Sequence, residues 1–111
     1  MRTADEMKAR IAQQTEDYNR IRDEAVEKLS GEWVKVLDEM IDAAFNGSAP
    51  LDRVSASANR FAPPPPGQTR EEIELLAADA VITHFMNLGF NAFRHLVGVI
   101  PHQRVEVSWD S

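Results

Sequence analysis

Leu88-Gly89-Phe90-Asn91-Ala92-Phe93-Arg94-His95-Leu96-Val97-Gly98-Val99-Ile100-Pro101-His102-Gln103-Arg104-Val105-Glu106-Val107-Ser108-Trp109 is the stretch that decides the fold. Leu88-Gly89-Phe90 closes a helical run. Phe90 to about Val97 is rich in aromatic and aliphatic residues, and Gly98 to His102 reads as a connection because it contains a glycine and a proline. From Arg104 to Asp110 the chain alternates, with Val105, Val107 and Trp109 on one face and Glu106 and Ser108 on the other. The pair predicts a C-terminal antiparallel hairpin whose Phe90, Val105, Val107 and Trp109 face the core.

Upstream of this hairpin, Thr69-Arg70-Glu71-Glu72 has the form of a capping box, with acidic residues where the helix dipole favours them. Ile73, Leu76, Ala77, Ala80, Val81, His84, Phe85 and Leu88 predict the buried stripe of this helix, and Gly89 its end. Further back, Pro63-Pro64-Pro65-Pro66-Gly67 forms a stiff spacer within a proline-rich connector over residues 59–68. Before it, Val54, Ala56 and Ala58 alternate with Arg53, Ser55 and Ser57, which predicts an edge strand or extended loop between Leu51 and Ala58.

The first half of the chain is helical in pattern from Thr3-Ala4-Asp5-Glu6, another capping-box form, to about Phe45, with Asn46-Gly47 as a left-handed stop. Ile21, Ala25, Leu29, Trp33, Val36-Leu37, Met40-Ile41 and Ala44 make a dense apolar stripe, whereas Met7, Ile11 and Tyr18 are sparse. A helix of this length at 1.5 Å per residue spans about 63 Å, while a compact chain of this size has a diameter of about 35 Å. Either the helix breaks at Ser30-Gly31, or residues 4–20 project as an arm that pairs in an oligomer, within a projecting or oligomerising helical segment over residues 1–29. The element order predicts an α+β fold. A long first helix, kinked or straight, and a second helix pack on a small, mostly antiparallel three-stranded sheet, all within one domain, 1–111.

Composition bounds the function. At 111 residues with 27% charged side chains, the chain has the make-up of an ordinary globular domain. No stretch is long and apolar enough for a membrane span, and Met1 to Glu6 lacks the apolar core of a signal peptide. The absence of cysteine rules out disulfides, thiolate-bound metals and thiol catalysis, and fits a cytoplasmic setting. The net charge is −6, and both halves are acidic: residues 1–47 hold 7 basic and 11 acidic side chains, and residues 48–111 hold 5 and 7. Nucleic-acid binding is disfavoured, because phosphate recognition needs a basic footprint.

Candidate sites are few. His84, His95 and His102 have no metal-ligand spacing; His84 reads as a core or boundary residue and the other two as exposed hairpin residues. Asp38, Glu39 and Asp42 lie between positions of the apolar stripe and read as a solvated face. No nucleophile motif and no glycine-rich phosphate loop is present. Arg60-Phe61-Ala62-Pro63-Pro64-Pro65-Pro66 fits the Arg-x-x-Pro-x-x-Pro form docked by SH3-type grooves, and equally fits a rigid connector. Arg94, His95, His102 and Arg104 make a candidate ligand patch. Met7, Ile11, Tyr18 and Trp33 make a candidate interface, with core packing the competing reading for Trp33.

Ile41-Asp42-Ala43-Ala44-Phe45-Asn46-Gly47, Leu88-Gly89-Phe90-Asn91 and Val105-Glu106-Val107-Ser108-Trp109 together resemble a type common among small phage and prophage proteins. In that type a helix ends in Ala-Ala-x-x-Gly, a second ends in Leu-Gly-Tyr/Phe, and the chain closes on an Ile/Val-x-Trp strand. The resemblance covers about residues 30–110; the small-residue first strand and the four prolines depart from it. It implies a phage setting and no particular activity. The expectation is a non-enzymatic phage accessory protein, without cofactor or metal. It binds a host or phage protein stoichiometrically, as a homo-oligomer, in the cytoplasm of an infected bacterium. A minor virion or decoration component, and a protein sequestering a nucleotide signal near Arg94 and Arg104, are the alternatives.

Overall fold

A computed structural model describes Met1–Trp109. Helix α1 runs Ala4–Asn46, strand β1 Arg53–Ser57, helix α2 Arg70–Asn87, strand β2 Asn91–Val97 and strand β3 His102–Ser108. The three strands form one antiparallel sheet in the order β1-β3-β2, so the C-terminal strand lies in the middle. The fold is α+β as expected. One turn of 3-10 helix, Ala58–Arg60, follows β1 directly and leads into the prolines.

The strand alternation lands on the expected faces. Val54 and Ala56 of β1 and Val105 and Val107 of β3 point at the helices and are buried, with register pairs Val54↔Val107 and Ala56↔Val105. Trp33 and Leu37 of α1 meet Ala77, Ala78, Val81 and Phe85 of α2 above them, and none of these six side chains retains accessible surface. The small side chains of β1 have a reason here. Trp33 lies over that strand and its indole Nε1–H donates to the Ala56 carbonyl at 3.0 Å. A larger residue at Ala56 or Ala58 would compete with the indole for the same volume.

Trp33 is therefore core and not interface, since a side chain without exposed surface cannot meet a partner. Helix α2 is rotated relative to the expected stripe. Ile73, Ala77, Val81 and Phe85 are buried, but Glu74 and Ala78 turn inward with them, while Leu76, Ala80, His84 and Leu88 are exposed. Both sets follow the helical repeat; the contact with β3 selects the Glu74 side. Trp109 is likewise exposed at the sheet's end. It donates from Nε1 to the Leu51 carbonyl at 3.1 Å and stacks edge-on against Phe90.

The helix ends show what each local motif does. Thr3 Oγ1 accepts from the Glu6 amide at 3.1 Å, capping α1. Thr69 does not cap α2 with its side chain; its hydroxyl lies 3.4 Å from the Tyr18 hydroxyl instead. Gly47 is extended, at φ −82°, so it is not a left-handed stop; a Cβ there would come within 3.0 Å of the Ala43 carbonyl. Gly89, at φ +93°, is the left-handed stop of α2. Phe90 N–H bonds the Phe85 carbonyl at 3.1 Å and Gly89 N–H the Met86 carbonyl at 3.0 Å, a Schellman pairing. Phe85 and Phe90 complete it with an edge-to-face contact at 5.9 Å.

Helix α1 passes through Ser30-Gly31 without a break. The molecule is consequently 71 Å long and 20 Å thin, with a radius of gyration of 18.2 Å against about 13 Å for a compact chain of this length. Ala4–Glu16 is exposed on every side, while from Asp17 onward α1 begins to meet the rest of the chain, so the overhang is shorter than residues 1–29. Arg22 joins the Glu72 carboxylate at 3.3 Å, and Gln68 donates to the Tyr18 carbonyl at 3.2 Å. These contacts mark where the helix leaves the domain.

Two substitutions test this account by urea unfolding. Trp33→Phe keeps most of the ring volume but leaves the Ala56 carbonyl without its donor, and is expected to cost about 1–3 kcal/mol. Gly31 is exposed within the helix and a Cβ there meets nothing within 4 Å, so Gly31→Ala is expected to stabilise by about 0.5–1 kcal/mol. A destabilising Gly31→Ala would mean a break or hinge at this point.

Candidate functional site

The hairpin end of the sheet carries the four residues of the expected ligand patch, and the structure separates them. Register places Arg94 opposite Val105, on the helix side of the sheet, where its Nε donates to Asp79 Oδ1 at 2.8 Å. His95 lies on the other face, opposite Arg104, whose Nε donates to Ser55 Oγ at 3.1 Å. His102 is only partly exposed, because Glu74 Oε2 takes its Nδ1 at 2.9 Å. His95 and Arg104 are thus neighbours, while Arg94 and His102 are committed elsewhere. The patch fails as one site because strand neighbours alternate faces.

Glu74 is the functional-looking residue that the sequence reading missed. It is only 5% exposed, yet it has a full set of donors. The Gln103 backbone N–H and the Arg70 guanidinium each reach it at 2.8 Å, and His102 completes the group. Arg70 also donates to the Pro101 carbonyl at 3.0 Å, so one guanidinium bridges α2 to the hairpin loop. The hydrogen bond to Glu74 holds the Arg70 guanidinium above its ordinary pKa, against the opposing effect of burial. His102 Nδ1 also lies 3.1 Å from Arg70 Nη1, so the carboxylate, the guanidinium and the imidazole meet at one point. With its oxygens committed to these donors, Glu74 acts as a cross-brace between α2 and β3. The signal in the sequence was a charged pair four residues apart, Arg70 and Glu74, beside Ile73.

Above this cluster lies a groove of about 650 Å³, open on one side. Ile21, Ala25 and Leu29 of α1 form one wall, Phe61 and Pro63–Pro66 the other, and Ile73 with the Arg70, Glu74 and His102 cluster the base. The prolines fix the far wall, since a polyproline segment loses little entropy on ordering. Among the described residues no three His, Asp or Glu side chains converge as a metal-binding set.

Strand β2 carries exposed apolar side chains. This strand has β3 on one side only, and Phe93 and Leu96 are both exposed, Leu96 at 61%. Val99 and Ile100 in the adjoining loop are exposed as well. Phe93 and His95 stack along one face at 5.8 Å, while Ala92, Arg94 and Leu96 occupy the other. The opposite edge of the sheet is different. There β1 is five residues long, built of small side chains, and has its Ala56 carbonyl taken by Trp33. Short, covered edges resist pairing with another strand, and β2 has neither protection.

Of the expected interface residues, Met7 and Ile11 are exposed at 49% and 56% on the overhanging part of α1, and Tyr18 is half-buried against Thr69. No helix among the described residues is long and apolar enough to cross a membrane. Comparisons with protein-family models, curated proteins and solved structures find no match.

Removing the Glu74 brace should uncouple α2 from the hairpin. Glu74→Leu leaves the Gln103 backbone N–H unpaired and Arg70 without its main partner, with an expected loss of about 3 kcal/mol in urea unfolding. Glu74→Gln is expected to cost less, because the amide oxygen can still accept from Gln103. Equal losses for the two variants would show that packing, not hydrogen bonding, is what Glu74 supplies.

Proposed function

We propose that this chain is a non-enzymatic binding protein that acts by stoichiometric contact with another protein, and that strand β2 with its hairpin loop is the contact surface. The observation that carries this reading is the unprotected β2 edge flanked by Phe93, Leu96, Val99 and Ile100, all exposed. An edge strand offers backbone donors and acceptors to an incoming extended segment, and alternate side chains on both faces supply specificity. Exposed apolar residues gathered around such an edge mark interaction sites in folded proteins.

The partner strand belongs to a different protein. In the two-fold antiparallel register that uses all of β2, a second copy would set Arg94 against Arg94, and like charges directly opposite are unfavourable. The motif resemblance in residues 41–47, 88–91 and 105–109 supports a phage accessory role in an infected bacterial cytoplasm.

The test is capture of the partner from the source cell, followed by calorimetry with the purified partner. Leu96→Glu and Phe93→Thr change exposed side chains, and circular dichroism verifies that each variant keeps its fold. Each is expected to weaken binding at least about tenfold, equivalent to about 1.4 kcal/mol, at a stoichiometry of one chain to one partner. Unchanged affinity in both variants would remove β2 as the contact surface. Turnover of the partner at catalytic amounts of the chain would remove the non-enzymatic reading.

A further inference from the structure

The overhanging part of α1, Ala4–Glu16, is exposed on every side, and the apolar line along it continues into Tyr18, Ile21 and Ala25, which the domain covers only in part. Ala4, Met7, Ile11, Gln14, Tyr18, Ile21 and Ala25 are spaced alternately three and four residues apart, the spacing of a coiled-coil seam. From Ile21 onward this seam becomes a wall of the proline-lined groove. Toward the N-terminus it runs out into the exposed segment Ala4–Glu16 with Met7 and Ile11 uncovered. A single exposed helix of about 12–15 residues is marginal in water, so a second helix against this seam supplies the missing burial.

Charge decides what that second helix is. The residues flanking the seam near its tip are basic, Lys8 and Arg10; those flanking it nearer the domain are Asp17, Glu24 and Arg22, of which Arg22 is already held by Glu72 of its own chain, so the unmatched charge there is acidic. A parallel pair of copies would set basic tip beside basic tip. An antiparallel pair sets each basic tip beside the partner's acidic base. We infer that α1 pairs antiparallel with α1 of a second copy of this chain, with Met7 on Tyr18 of the partner subunit and Arg10 facing Asp17 of the partner subunit. In the same register Ala4 lies on the partner's Ile21, and Ile11 on the partner's Gln14. The overlap from position 4 to position 21 is about 26 Å long. Two-fold symmetry makes every one of these contacts twice. The two domains sit at opposite ends of the joint, and both β2 edges stay clear of it.

Asp17 has local neighbours that compete for it: Gln13 donates to its carboxylate at 3.1 Å and Arg20 lies 3.6 Å away. Both are exposed contacts along one helix and are weak. Arg10 flanks the shallow hollow that it forms with Arg2, Glu6 and Met7.

A charge exchange tests the pairing and its direction together. Arg10→Asp and Asp17→Arg are made as separate chains; both positions are on the surface of α1, and circular dichroism verifies that each variant keeps its helix. The wild-type chain is expected to be a dimer by light scattering at high micromolar concentration. In either variant alone two attractive pairs become two repulsive ones, and dimerisation is expected to weaken about tenfold or more. An equimolar mixture of the two variants regains the wild-type dimer, because each new carboxylate at position 10 faces a new guanidinium at position 17. A monomeric wild type overturns the inference, as do variants that dimerise like the wild type or a mixture no tighter than its components. Leu96→Glu leaves this dimer unchanged, so failure here and failure of the β2 contact are separable.

Discussion

The hydrogen bond from Trp33 to the Ala56 carbonyl, together with the buried indole that makes it, is the contact on which the rest of the architecture depends. It ties the middle of a helix 43 residues long to the edge of a three-stranded sheet. The indole needs volume over β1, and the small side chains of that strand supply it. The donor needs an acceptor in a dry place, and an edge-strand carbonyl has one. One residue therefore anchors α1, determines the composition of β1 and covers one of the two open edges of the sheet.

The second constraint is the placement of β3 between the other strands. A central strand is buried on its helix side by both neighbours, which is why Val105 and Val107 lose all exposure while the equivalent positions of β2 do not. Glu74 then braces the start of β3 to α2 through the Gln103 backbone N–H, Arg70 matches its charge, and His102 meets the same carboxylate oxygen as Arg70. At the other end of α2, Gly89 and the Phe85–Phe90 contact fix the angle at which the chain enters β2. Helix, corner and hairpin are thus one continuous unit, and its outer edge is β2.

Among the described residues, these constraints leave the β2 edge and the tip of α1 exposed, at different parts of the molecule. The β2 edge is extended and apolar on both faces. At the tip of α1, Met7 and Ile11 are exposed. A strand edge is suited to an extended segment and a coiled-coil seam to a helix, so the two surfaces do not compete for the same ligand. A protein that dimerises through its long helix and presents an edge at each distant end would engage two copies of a target, with the gain that bivalency brings.

The elements themselves were legible because they rest on local rules. The alternation of Val105, Val107 and their polar neighbours, the capping residue Thr3, the stop at Gly89 and the dense stripe around Trp33 all follow from periodicity and backbone preference, which neighbours in sequence determine. What sequence left open were choices between locally equivalent solutions. Ser30-Gly31 is compatible with a bend or with a straight helix, and the packing of residues on both sides of it against one domain selects the straight one. Helix α2 has apolar residues on both flanks of its Ile73-Ala77-Val81 line, and the docking of Glu74 onto β3 turns Leu76 and Leu88 outward. Arg94, His95, His102 and Arg104 are close in sequence, but strand alternation and the Asp79 and Glu74 carboxylates send them to different places. Sequence by itself determined the α+β class and nearly every element. Tertiary structure alone decided which strand lies at the edge, which face of α2 is buried and how far α1 overhangs, because each depends on contacts between residues distant in the chain.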